Sequence, residues 1–321
     1  MKRTLCIVVT LLAACGCADS PEARLEKLAG RLHDPYQAKK AAEELMQLGD
    51  DAIPVLLDAT VSQSRVVRIQ AVSHLWVAKG LETPHPRAAA RIIELIEDPD
   101  PGVRVAAIET VREYCSETWD PPMSEEMHRR NLADMRPALP AVFLRMGDRQ
   151  SLVRGAVADC LPDICRHLAT RNDLPTLLSG LNSLDERLCR SCATVLSQLG
   201  DSTAIEPLFN LIPKCPEDKT STVLAAADAI YHCDPLAPAA LFSALEAPHE
   251  TRRTAAARAL GMLGSFRAPT GYPYGNLRET ALGELAQRRL AEDVGHVRDA
   301  MDKAIKQIRA AMEVEGTQQL R

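Results

Sequence analysis

The sequence predicts an all-α fold, an α/α superhelical solenoid built from helix pairs. Three observations carry that expectation: an apolar trio recurs at +3, +4 and +7 from a reference position that is often arginine, prolines open further apolar runs downstream, and the reference positions recur at 30, 36, 50, 35, 34, 30 and 45 residues. Arg68 is followed by Ala71, Val72 and Leu75; Arg104 by Ala107, Ile108 and Val111; Arg154 by Val157, Ala158 and Leu161; Arg253 by Ala256, Ala257 and Leu260. Ala38, Cys189, Val223 and Arg298 keep the same phase less cleanly, without arginine in three cases and with Asp302 interrupting the trio in the fourth.

Residues 1–14 read as an export leader, because Lys2 and Arg3 precede an apolar run from Leu5 to Ala14 that is too short to span a bilayer. The run ends Leu12-Ala13-Ala14-Cys15, which resembles the lipobox of bacterial lipoproteins. That resemblance implies lipidation of Cys15, several acyl chains and durable anchoring in the cell envelope; Cys17 is the rival acceptor but lacks the upstream aliphatic residue. Gly16 at the second mature position implies the outer membrane in a cell that has two. Residues 15–20 are then a short tether, and the solenoid occupies 21–321, opening on a capping helix over 21–33 with Leu25, Leu28 and Leu32 on one stripe.

Offsets of three, four and seven place each trio on one helical face, and alanine there lets neighbouring first helices approach closely. Gly49, Gly200 and Gly264 are read as left-handed caps closing first helices. Pro54, Pro140, Pro175, Pro207 and Pro238 begin the second helices, since the first turn of a helix needs no amide donor. The stretches Asp98-Pro99-Asp100-Pro101-Gly102-Val103-Arg104-Val105-Ala106-Ala107 and Leu48-Gly49-Asp50-Asp51-Ala52-Ile53-Pro54 resemble the short HEAT-like repeats of phycobilin-lyase type. The resemblance covers nearly all of residues 34–312. It implies the fold and leaves function open, because such repeats serve scaffolds and a few enzymes.

Two insertions, 116–136 and 265–276, lengthen the connection between the first and second helix of a pair beyond what pairing needs. The second holds Phe266, Tyr272 and Tyr274, and the first holds Trp119, in a chain with only eleven aromatic residues. Rings on proline-stiffened loops suit partner contact, so these four are the candidate partner-binding residues, with folding back over the helices as the competing role.

Chemistry is sparse. Removing the leader leaves 36 basic against 43 acidic side chains, a formal charge of −7, which argues against nucleic acid as a partner. Cys160, Cys165, Cys189 and Cys192 superficially resemble a zinc framework, but their register separates the sulfurs, so the helix cysteines are expected to be small buried hydrophobes. Cys115 and Cys165 share register +11 and form the best disulfide candidate. The single His249-Glu250 pair does not make a di-iron site, and no catalytic residue, metal or cofactor is expected. The favoured function is a non-catalytic, lipid-anchored envelope scaffold or adaptor for a protein partner. The alternatives are a lyase-like or chaperone-like protein holding a small molecule in its groove, and a purely structural envelope component.

Overall fold

The computed structural model describes residues 20–76, 85–116, 124–216, 220–234, 238–265 and 277–319. Among them regular structure is entirely helical: α1 (Pro21–Leu32), α2 (Ala38–Leu45), α3 (Ala52–Ala59), α4 (Arg65–His74), α5 (Pro86–Leu95), α6 (Pro101–Cys115), α7 (Glu125–Met135), α8 (Ala138–Arg145), α9 (Ser151–Leu168), α10 (Leu174–Gly180), α11 (Glu186–Leu199), α12 (Ile205–Leu211), α13 (Thr220–Cys233), α14 (Ala239–Ala244), α15 (Glu250–Ser265), α16 (Leu277–Ala291) and α17 (Gly295–Gln319). The architecture is an α-solenoid, and all eight reference positions fall in first helices, namely α2, α4, α6, α9, α11, α13, α15 and α17. The described residues form two compact units, divided within α6 between Thr110 and Val111 and within α7 between Met127 and His128.

In the first unit α1 packs on α2, while α2 and α3 both pack on α4. In the second, α9, α11, α13, α15 and α17 each pack on the next, and α8, α10, α12 and α14 each pack on the first helix that follows. The trios line these contacts: Ala71, Val72 and Leu75, Val157 and Leu161, Cys192, Ala193 and Leu196, Ala226, Ala227 and Ile230, and Ala256, Ala257 and Leu260 are all buried. Five prolines stand where second helices begin, with Pro175 inside the first turn of α10 and Pro238 at the N-cap of α14.

The recurring arginine has a structural cause. Each guanidinium donates back to the carbonyl six residues earlier, in the turn that ends the preceding second helix: Arg68 to Ser62 (2.9 Å), Arg104 to Asp98 (2.8 Å), Arg154 to Asp148 (2.9 Å), Arg253 to Ala247 (2.9 Å) and Arg298 to Glu292 (2.6 Å). Three go on to an acid of the following turn. Arg68 reaches Asp98 (3.1 Å), Arg154 lies 3.6 Å from Asp185, and Arg253 clasps both carboxylate oxygens of Glu292 (2.8 and 2.9 Å). A planar fork with several donors satisfies orphaned turn carbonyls and an acid at once, which lysine could not do.

Two further features were not legible beforehand. Pro162 lies inside α9 and cannot donate to the Ala158 carbonyl; the buried Ser191 hydroxyl of α11 lies 2.6 Å from that oxygen and takes the donor's place. Gly264 does not cap a helix as expected. It lies within α15, where a Cβ would meet Ile308 Cγ1 at 2.7 Å, so the missing side chain serves close packing against α17. Gly200, by contrast, caps α11 in the left-handed region (φ 60°), as expected, and Gly49 also has positive φ but lies in a 3-10 stretch after α2.

Candidate interaction surface

The sequence-predicted contact residues Trp119, Phe266, Tyr272 and Tyr274, and the lipid acceptor Cys15, lie outside the described residues. What can be placed is the frame around them. Residues 125–135 of the first insertion are helix α7 rather than loop. Ser124 Oγ accepts from the Met127 amide (3.2 Å), Glu125 and Glu126 stand at the positive end of the helix dipole, and Asn131 and Met135 are buried one turn apart. Its apolar stripe is thin, so periodicity alone did not reveal it. The His128 ring meets His167 of α9 edge-on with centroids 5.6 Å apart. Just past α7, Arg136 donates to the Leu168 carbonyl and, at 3.1 Å, to the Asp173 carboxylate, fastening the insertion to the end of α9.

All seven described cysteines are buried. Burial pushes the Cys192 thiol up to about 12 and that of Cys233 to about 11, and raises Cys165, Cys189 and Cys215 as well, so these sulfurs are protonated at neutral pH and poor nucleophiles. Several act as weak capping donors: Cys233 to the Leu196 carbonyl (3.3 Å), Cys215 to Leu211 (3.5 Å) and Cys189 to Ser183 (3.0 Å). Cys115 and Cys165, the suggested disulfide pair, are not joined by a disulfide in this structure. Among the described residues no group of three or more His, Cys, Asp or Glu side chains gathers as a metal would require.

In the second unit the helices differ in the charge they expose. The exposed positions of α10, α12 and α14 are Pro175, Thr176, Ser179, Glu206, Asn210, Ala239 and Ser243. They carry a single charge, Glu206, and Arg252 neutralises it while stacking 3.8 Å over the Phe209 ring. First helix α9 instead exposes Asp159, Asp163 and Arg166. Helices α10, α12 and α14 therefore offer short, mostly uncharged side chains, and the opening beside α12 and α14 is bounded by Asn210, Ser243 and His249. On first helices α13, α15 and α17, a groove of about 460 Å³ is lined by Val223, Thr254, Arg258, Met262 and Lys303.

Residues 53–125 match the family of HEAT repeats. This stretch carries HEAT repeats. No curated protein sequence matches the chain. Among solved structures, one of Kap95p with RanGDP aligns with a TM-score of 0.51 at 14% identity, over 91% of this chain and 41% of that one. Importin beta gives 0.49 at 15% identity, over 89% and 41%, and a designed armadillo repeat protein in complex with the peptide (KR)4 gives 0.33 at 13% identity, over 88% and 99%. At such identities the Kap95p likeness establishes the solenoid fold and nothing of function.

Proposed function

We propose that the chain is a lipid-anchored scaffold or adaptor of the cell envelope, which docks a protein partner through its HEAT-repeat solenoid and performs no catalysis. The observation that carries this reading is the second-helix face of α10, α12 and α14. Its short, neutral side chains let a partner's backbone approach without stripping water from charges, a cost that charged faces impose. Among the described residues no helix is long and apolar enough to cross a membrane; the proposed attachment is the Cys15 lipid, on the resemblance of residues 12–15 to a lipobox. Trp119, Phe266, Tyr272 and Tyr274 are the proposed contact rings of the two insertions. A second reading, a small molecule held on the chain, is favoured by the 460 Å³ groove, a volume in the range of ligand sites.

Replacing Phe266, Tyr272 and Tyr274 by alanine should weaken partner capture by about tenfold or more while the helical circular dichroism and melting temperature stay nearly constant. A collapsed melt would assign the rings to packing and overturn their docking role. Replacing Cys15 by serine should move the protein from the membrane to the soluble fraction. Retention on the membrane would refute Cys15 as the acceptor.

A further inference from the structure

The turn that joins the capping helix α1 to α2 presents an aromatic ring that nothing in the chain covers. Asp34 builds this turn: its carboxylate accepts from the Tyr36 amide (3.0 Å) and from Gln37 Nε2 (2.7 Å), and Pro35 restricts the backbone between them. The Tyr36 side chain stands 99% exposed on that braced turn. Lys39 and Lys40 follow in the first turn of α2, both exposed, while Ala38, Ala41, Ala42 and Leu45 form the buried stripe of the same helix. The neighbouring acids are committed elsewhere, Asp34 within the turn and Glu44 to the Arg31 guanidinium (2.9 and 3.0 Å). The exposed charge of α2 is therefore two lysines against Glu43 alone, which stands a turn further along.

A tyrosine with an apolar body and a polar tip suits the zone where lipid headgroups meet acyl chains, and lysines beside it are attracted to anionic headgroups. Chain length brings the two together. Only residues 16–20 separate the proposed acceptor Cys15 from α1, a tether of at most about 20 Å even when fully extended. Helix α1 itself, with 12 residues, spans about 18 Å. A chain anchored at Cys15 therefore keeps the start of α1 near the bilayer, and α1 lying along the surface brings the turn at its other end to the headgroups. We propose that the α1–α2 turn is a membrane seat, with Tyr36 in the headgroup zone and Lys39 and Lys40 against anionic lipid, and that it fixes how the first helices stand beside the anchor. The inference rests on the lipid-anchor reading above and goes beyond it by assigning a second, non-covalent contact with the bilayer.

The test reconstitutes the purified, lipidated full chain into vesicles of phosphatidylcholine and phosphatidylglycerol with brominated acyl chains, which quench tryptophan at short range. Tyr36→Trp is compared with Leu184→Trp, a fully exposed position in the second unit, each read as the difference from wild-type emission. The tryptophan at 36 should lose emission by about twofold or more, and the one at 184 should lose little. Exchanging phosphatidylglycerol for phosphatidylcholine, or adding Lys39→Glu with Lys40→Glu, should reduce the quenching at 36. The lipid exchange needs no further substitution, so it decides the role of charge even should the double variant fail to fold. Flotation of the same samples separates the two readings. Protein that floats with the vesicles but is quenched no more at 36 than at 184 overturns the seat and leaves the anchor standing. Protein that does not float overturns the anchor and the seat together, and quenching at 36 indifferent to lipid charge overturns the part given to the lysines.

Discussion

Replacing Arg253 by leucine is expected to destabilise the C-terminal repeats by about 2 to 3 kcal/mol, measured by urea unfolding. Arg253 is as enclosed as Arg68, each side chain being 15% exposed; its partner Glu292 is 5% exposed, and both of that carboxylate's oxygens are engaged. Leucine would leave Glu292 buried without its counter-charge and strip a donor from the Ala247 carbonyl. The same pair sets an acid limb. The Arg253 guanidinium, followed by the Val294 amide, holds the Glu292 carboxyl below the usual carboxylate range. A depressed folded-state pKa contributes stability above the unfolded value and loses it as pH falls through the folded one. Wild type should therefore shed this contribution on acidification below the usual carboxylate range, and Glu292→Gln should flatten that part of the profile. An acid profile identical in the two proteins would show that the bridge does not bear on stability.

The second large effect is expected at Gly261, where α15 and α17 come into backbone contact. A Cβ there would sit 2.8 Å from Ala304 Cβ and 2.9 Å from Ala304 Cα, and backbone cannot swing aside as a side-chain tip can. Gly261→Val should cost about 3 kcal/mol, since overpacking outweighs the gain of about 1 kcal/mol that any residue with a Cβ brings to a helix interior. Gly283 on α16 supplies the control, with nothing within 4 Å of its would-be Cβ. Gly283→Ala should stabilise by about 0.5 to 1 kcal/mol. Should both substitutions stabilise, the close approach of α15 and α17 would be wrong.

These two sites show what the sequence discloses and what it hides. Periodicity located every first helix, because a 3.6-residue stripe is a local property that the chain carries along its length. The arginines at five of the reference positions were visible, but their purpose was not: the carbonyl each seeks is six residues away in a turn, and the acid that three of them reach lies some 30 to 39 residues on. Gly264 shows the converse error. Glycine near a helix end suggests a cap, and only the position of Ile308 on α17 shows that space, not backbone freedom, is what it provides. Ser191 opposite Pro162 is likewise a tertiary bargain between two helices, with no trace in the spacing of either residue. Helix α7 escaped because a buried Asn131 occupies a position where pattern reading looks for an apolar residue.

The docking claim has one most direct test, which is site-specific photocrosslinking in cells from single positions on the two helix sets of the second unit. A crosslinking residue placed at Thr176, Asn210 or Ser243 on the neutral second-helix face should yield a discrete protein adduct, and the same residue at Asp159 or Asp163 on α9 should not. Adducts confined to the α9 positions, or none from any of the five, would contradict the assignment of the second helices as the partner-binding face.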